Sequence, residues 1–216
     1  VLGEMRISTA KKQVLQSIAG AFPCNAVPYK WRIVQSAACA LCGHPTETQS
    51  HIQCSCPALK EARIRAHHNL AQTLWKGILG ATKQWVITVE QTVSGLLGLA
   101  QPEEHIDVWQ RAWDEISDLD LEGEGDGELA DVEAGIQRKR PDAWAVNWDK
   151  RCVLILEFTR PNDRCADSLH STDAQKTARY TPLSARLARL LPGWEVEIQT
   201  YTIGIRGSLD SDRWTA

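Results

Sequence analysis

The chain has no run of about 18 apolar residues, which excludes a membrane-spanning helix. Its opening, VLGEMRIST, has neither the layout of a secretion signal nor that of an arginine-rich transit peptide, and a start at Val1 suggests an excised fragment. No internal repeat is present, so solenoid and propeller architectures are not expected. Cysteines are not spread as a disulfide framework would spread them. Four of the seven (Cys39, Cys42, Cys54 and Cys56) fall within 18 residues, while Cys24, Cys152 and Cys165 are scattered. That pattern argues against a stapled secreted domain and for a metal site in a reducing compartment.

Basic residues are also missing from one stretch. Between residues 114 and 133 there are ten acidic side chains and no basic one. Setting that stretch aside leaves 24 basic residues against 17 acidic (27 less ten), so a net charge of −3 becomes +7 for the body of the chain. A basic body with one acidic, glycine-rich insert permits a nucleic-acid partner without requiring one. Within the insert, DLEGEGDGELAD from Asp120 has acidic residues at alternate positions and glycine at the sixth, as a calcium-binding helix–loop–helix does. Gly127 stands where that loop needs an apolar residue, and the exit VEAGIQRKRP is a poor helix, so a plain acidic loop over residues 117–135 is the expectation.

Periodicity divides the rest. A helix is expected in the first twenty residues, and another from Pro57 to about Trp75, opened by a proline suited to a first helical turn. QWVITVEQTVSGLLGLA is ambiguous between strand and helix. HIDVWQRAWDEISDL sets Ile106, Trp109, Trp113 and Ile116 on one helical face. A hairpin follows, then a helix from about Cys165 to Tyr180, a break at Thr181-Pro182, a second helix LSARLARLL, and a closing strand WEVEIQTYTIGIRG. The expected architecture is α/β over residues 101–216, preceded by a helical subdomain over residues 1–100 that carries the cysteines.

The cluster CALCGHPTETQSHIQCSC supplies Cys39-x2-Cys42, then His51, then a further cysteine. Zinc takes four soft or borderline ligands in a tetrahedron, and a C-x2-C turn lets two thiolates share one ion. Cys54 and Cys56 compete for the fourth place, and His44 is a weaker rival to His51. The helix that follows offers Arg63 and Arg65 as phosphate contacts.

The stretch RPDAWAVNWDKRCVLILEFTR places Asp142 early and Glu157 late on otherwise apolar segments. If residues 148–151 form a four-residue turn, Asn147 opposes Cys152, Trp144 opposes Ile155 and Asp142 opposes Glu157. Opposed side chains share a face of the sheet, and two carboxylates there need a positive partner, for which a hard divalent ion is suited. A slip of one residue would put them on opposite faces. The other face, with Ala143, Ala145, Leu154, Leu156 and Phe158, suits packing under a helix. Of nine tryptophans, Trp144 and Trp148 on the hairpin are the two to consider for DNA contact.

RPD, a hairpin, LEFT and then KTARY, preceded by the cysteine knuckle and CPALKEARIRAHH, resemble the PD-(D/E)xK nuclease superfamily, specifically the restriction-like endonuclease of site-specific non-LTR retrotransposons. The resemblance covers residues 37–207. It implies a restriction-endonuclease-like core, a mixed sheet flanked by helices, behind a CCHC zinc knuckle at about residues 37–57 with Cys39, Cys42, His51 and Cys56 as ligands. It also implies magnesium or manganese on Asp142 and Glu157. The superfamily lysine, displaced from the Thr159 position to the next helix, would be Lys176, with Tyr180 one turn on. Asp173 and Glu115 are possible third carboxylates. Arg138, Lys139, Arg140, Arg160 and Arg164 are candidate phosphate contacts.

The implied activity is nicking of double-stranded DNA in the nucleus for target-primed reverse transcription. Its implied partners are the reverse transcriptase of the same polyprotein and element RNA through the linker. The alternatives are a catalytically inactive nuclease-like scaffold for RNA and protein, and a zinc-dependent nucleic-acid-binding adaptor.

Overall fold

The hairpin that carries the two carboxylates is formed by β2, Ala143–Asn147, and β3, Cys152–Thr159. Its register is Ala143 with Leu156, Trp144 with Ile155, Ala145 with Leu154, Val146 with Val153 and Asn147 with Cys152, the pairing expected from a four-residue turn. Asn147 fixes that turn, its Oδ1 accepting from Lys150 N at 3.0 Å. Arg151 takes a left-handed φ of 51° to re-enter the ladder. The computed structural model describes residue 16 and residues 23–78, 84–121, 135, 138–162, 167–205 and 207–209. The first expected helix (save Gln16), most of the acidic insert with its calcium-loop reading, Arg164 and Cys165 lie outside them.

The described chain is a mixed α/β structure. A short helix α1, Ala26–Lys30, precedes the cysteine cluster, and α2, Lys60–Ile78, follows it after one 3-10 turn at Pro57–Leu59. The ambiguous segment resolves into both alternatives, strand β1, Val86–Val89, and helix α3, Val93–Leu97, with Thr92 as the capping residue between them. Then come α4, Ile106–Leu121, the hairpin, α5, Asp167–Leu190, and β4, Glu195–Thr202. The sheet order is β1-β2-β3-β4. The β1–β2 and β2–β3 pairs are antiparallel, and since the sheet is mixed, the parallel pair is β3–β4, joined through α5.

Four expectations need correction. The chain does not divide at residue 100, because β1 pairs with β2. One compact unit comprises residues 68–159 and 171–201, and the other residues 1–67, 160–170 and 202–216. On α4 the buried line is Trp109, Ala112 and Ile116, continued backwards by His105, whereas Ile106 is exposed. Helix α4 also runs to Leu121, so the acidic loop cannot begin at residue 117.

The fourth concerns Pro182, which lies inside α5 and does not end it. A proline there removes one N–H and crowds the preceding turn, at a cost of about 3 kcal/mol. Nearby carbonyls receive side-chain donors instead: Thr181 Oγ1 bonds Thr177 O at 2.9 Å, and Lys139 Nζ bonds Arg179 O. Full burial of Tyr180, Leu183 and Leu187 offsets the remainder, each worth roughly 1.5–3 kcal/mol. The helix stops at Gly193, whose φ of +81° an L side chain rarely adopts.

The core of the second unit lies between the sheet and α3, α4 and α5. It joins Val93, Leu96, Trp109 and Ile116 to Trp144, Val146, Val153 and Ile155 of the hairpin and to Leu183 and Leu187. This is the face to which Asp142 and Glu157 belong, so helices pack on the carboxylate face. The opposite face, Ala143, Ala145, Leu154, Leu156 and Phe158, is buried as well. Trp109, Trp148 and Trp194 meet edge to face or tilted at 4.8–5.5 Å around His105, whose Nε2 donates to Trp148 O at 3.1 Å.

Candidate functional site

One step beyond the last ladder pair, the register sets Asp142 opposite Glu157 at the open end of the hairpin. Asp142 is held there from both sides. Its Oδ2 accepts from Phe158 N at 2.7 Å, and its carbonyl accepts from Glu90 N at 3.2 Å. Glu157 is only 2% exposed, and Lys176 Nζ from α5 sits 2.6 Å from its Oε2. The positive charge that a buried carboxylate demands therefore comes from Lys176, whose side chain remains 27% exposed.

Tyr180, one helical turn after Lys176, is fully buried, and its hydroxyl donates to Arg140 O at 3.2 Å. Burial, with the Glu157 and Asp142 carboxylates beside it, pushes its ionisation far above the usual phenol range, so the hydroxyl stays a donor. The structure thus brings Asp142, Glu157, Lys176 and Tyr180 together. Asp173, one turn before Lys176, is buried. Glu115 is engaged elsewhere, by Arg186 at 2.8 Å, and is mostly exposed. Its sequence position on α4 carried no information about that pairing.

Each of the two carboxylates has one oxygen engaged by a neighbour, Asp142 Oδ2 by Phe158 N and Glu157 Oε2 by Lys176 Nζ.

Around this face Arg138 and Arg140 are exposed, while Lys139 is half-buried and committed to Arg179 O. Burial and the Arg179 charge lower the Lys139 pKa. Arg160 is exposed in the other unit. Trp144 is fully buried with its indole N–H on Gln91 O at 2.8 Å, so it cannot touch DNA, and Trp148 is half-buried in the tryptophan cluster.

In the first unit, Cys39, Cys42, His51 and Cys56 place their ligand atoms within 4.8 Å of one another. A tetrahedral zinc with metal–sulfur distances near 2.3 Å separates its sulfurs by roughly 3.8 Å. Cys39 Sγ and Cys56 Sγ are 4.0 Å apart, and Cys42 Sγ is 3.3 Å from His51 Nε2. The cluster can hold a metal ion such as zinc. Cys54 is exposed and outside it, and His44 stacks on the His51 ring at 4.4 Å without entering. Gly43, with φ +73°, allows the tight turn in which Gly43 N bonds Cys39 O. A π-helical turn, His51–Ser55, brings His51 and Cys56 onto one point.

Two features of this cluster were not legible in the sequence. Glu47 is buried and accepts from Asn25 N and Ala40 N, both at 3.0 Å, clasping the start of α1 to the cysteine loop. Burial opposes its ionisation, but those two backbone donors outweigh it and hold the carboxyl below its ordinary range. Arg63, expected at phosphates, donates to Cys56 O at 2.5 Å and so supports the cluster, whereas Arg65 is exposed. A lone glutamate in a polar loop gives no sign that two distant N–H groups converge on it.

No protein-family model matches the chain, and no curated protein matches it either.

Proposed function

We propose that the chain is a metal-dependent endonuclease that nicks double-stranded DNA, with a restriction-like core behind a structural zinc knuckle. The observation that carries this reading is the pairing of Asp142 with Glu157 on one sheet face beneath Lys176. Two carboxylates and a lysine at a sheet end, flanked by exposed Arg138 and Arg140, form a phosphodiester-hydrolysis constellation. The resemblance of RPD, LEFT and KTARY to the retrotransposon branch supports the same reading. It extends the proposal to priming of reverse transcription by the polymerase of the same polyprotein, in the nucleus, with element RNA as a further partner.

Asp142 and Glu157 would hold magnesium or manganese, which supplies polarisation of the phosphate and a lowered pKa for water. Lys176 would place its ammonium to offset the negative charge that develops on the phosphorane oxygens. Tyr180, pinned to Arg140 O, stays protonated and fixes the turn of α5 from which Lys176 projects. Arg140 and Arg138 would position the strand by its phosphates. Zinc on Cys39, Cys42, His51 and Cys56 would be structural, since four protein ligands leave no open position.

The test is nicking of supercoiled plasmid with added manganese, comparing the chain with Asp142→Asn, which keeps an acceptor for Phe158 N. A rate loss of about 10³-fold in the variant is expected. Equal rates would remove Asp142 from the site. Metal-independent failure of both proteins, with DNA binding retained, would transfer the reading to an inactive scaffold.

A further inference from the structure

Large apolar side chains are unevenly exposed. Among the described residues, five of the eleven exposed ones (Val27, Tyr29, Trp31, Ile33 and Leu41) fall within residues 27–41. Trp31 is 75% exposed and Tyr29 49%, whereas Trp75, Trp109 and Trp144 are nearly or fully buried. Single exposed apolar residues are ordinary on a protein surface, but five within residues 27–41 are a local concentration along the chain. Here the rings alternate with cations in the order Tyr29, Lys30, Trp31, Arg32, and both cations are exposed.

The segment is anchored. Helix α1 is tied down at its start by Asn25 N and Ala26 N on Glu47, by Asn25 Nδ2 on Ala38 O at 2.8 Å, and by burial of Cys24. At its end Arg32 adopts φ 54°, with Arg32 N on Tyr29 O and Ile33 N on Pro28 O, a turn that stops the helix and fixes Trp31 as its cap. Rings carried on a fixed turn lose little freedom when a ligand stacks on them.

The electrostatics favour an anionic partner. Residues 23–46 contain no aspartate or glutamate. The next acid, Glu47, is buried and bonded through both oxygens to backbone donors. The described residues of this unit carry six lysines and arginines against three acids. Exposed rings next to exposed cations offer stacking and phosphate contacts to a strand whose bases are unpaired.

We propose that residues 29–33 form a binding surface for single-stranded nucleic acid, with Tyr29 and Trp31 as stacking rings and Lys30 and Arg32 as phosphate contacts. The surface stands apart from the carboxylate site in its evidence, and its test does not use cleavage.

The experiment is fluorescence anisotropy of the metal-loaded full chain with labelled 15-nucleotide DNA and RNA single strands and the matching DNA duplex. Trp31→Ala and Tyr29→Ala are each expected to weaken single-strand binding roughly five- to 150-fold. Trp31→Phe should retain most of the affinity, because a ring suffices. Lys30→Ala with Arg32→Ala should lower the slope of log affinity on log salt by about 1.4, at about 0.7 per phosphate contact. A requirement for the 2′-hydroxyl would assign the surface to RNA, and equal DNA and RNA affinity would assign it to any unpaired strand. Unchanged single-strand affinity in both alanine variants overturns the proposal. So does a result in which Trp31→Ala abolishes self-association of the chain and leaves strand affinity untouched, since the patch is then a protein interface. Circular dichroism and metal content verify that the variants are folded.

Discussion

The two compact units are closed by different means. In residues 68–159 and 171–201 the interior is apolar, with tryptophans, leucines and β-branched residues packed between helices and sheet. In the other unit, Ile205 is the only buried aliphatic side chain among the described residues. The rest of its interior is Cys24, Cys39, Cys56, Glu47, Gln49, His51 and Thr202. The first kind of interior is stabilised by removal of apolar area from water. The second kind has little of that term; its buried Glu47 is paired with backbone donors, and a metal on the Cys39, Cys42, His51 and Cys56 cluster would add ligand bonds. A consequence is that the two units should respond to different perturbations.

Metal removal is the largest expected separation. Structural zinc stabilises small domains by about 10 kcal/mol or more. Chelation should therefore abolish amide-exchange protection in residues 24–67 while β2 and β3 keep theirs, read by hydrogen exchange with mass spectrometry. Cys39→Ser should behave like chelation and Cys54→Ser like the parent. Loss of protection in both units together would break the comparison.

The converse is Trp109→Ala, which removes the ring central to the tryptophan cluster. It should cost the apolar unit about 3–5 kcal/mol in urea titration and leave zinc content unchanged.

Lys176→Ala sharpens the comparison within the apolar unit, because it leaves the nearly buried Glu157 without its counter-charge. A loss of about 3 kcal/mol is expected. Manganese should recover part of that stability by supplying the missing charge, although nicking should not recover. If manganese leaves the variant's urea midpoint unchanged, Glu157 is not a cation ligand.

The smallest effect concerns Cys152, buried at the start of β3. Burial, with Glu197 and Glu195 nearby, raises its thiol from 9.0 to about 11. A raised folded-state value favours the protonated form. Its contribution is complete below about pH 9 and is lost as pH rises towards 11, amounting to less than about 3 kcal/mol. The urea midpoint of the parent should fall across pH 9–11 more steeply than that of Cys152→Ala.

Much of the site was legible because it rests on local rules. The register of the hairpin follows from its turn length, and turn length fixes which residues oppose, so Asp142 and Glu157 could be paired before any coordinates. Cys39, Cys42 and His51 follow from short spacings that one turn and one helical end can close, whereas spacing left Cys54 and Cys56 open and the fold places Cys56 in the cluster. Helix α5 was misjudged at Pro182 because local propensity counts the missing N–H but not the burial of Tyr180, Leu183 and Leu187 on the same face. The division at residue 100 failed for a related reason. A four-residue strand such as VITV has no periodic signature long enough to reveal that it pairs with a strand more than fifty residues away.

The sequence by itself determined the helix, hairpin, helix and strand from α4 onward, apart from the continuity of α5 across Pro182, and the hairpin register once its turn is four residues long, since each depends on contacts close along the chain. The tertiary structure alone decided that Lys176 meets Glu157, that Trp144 is enclosed and Trp31 exposed, and that Glu47 joins α1 to the cysteine loop. Those outcomes depend on which faces meet across long loops. Such contacts are selected by the total area buried and the polar groups satisfied over the whole fold, and no local window of residues encodes them.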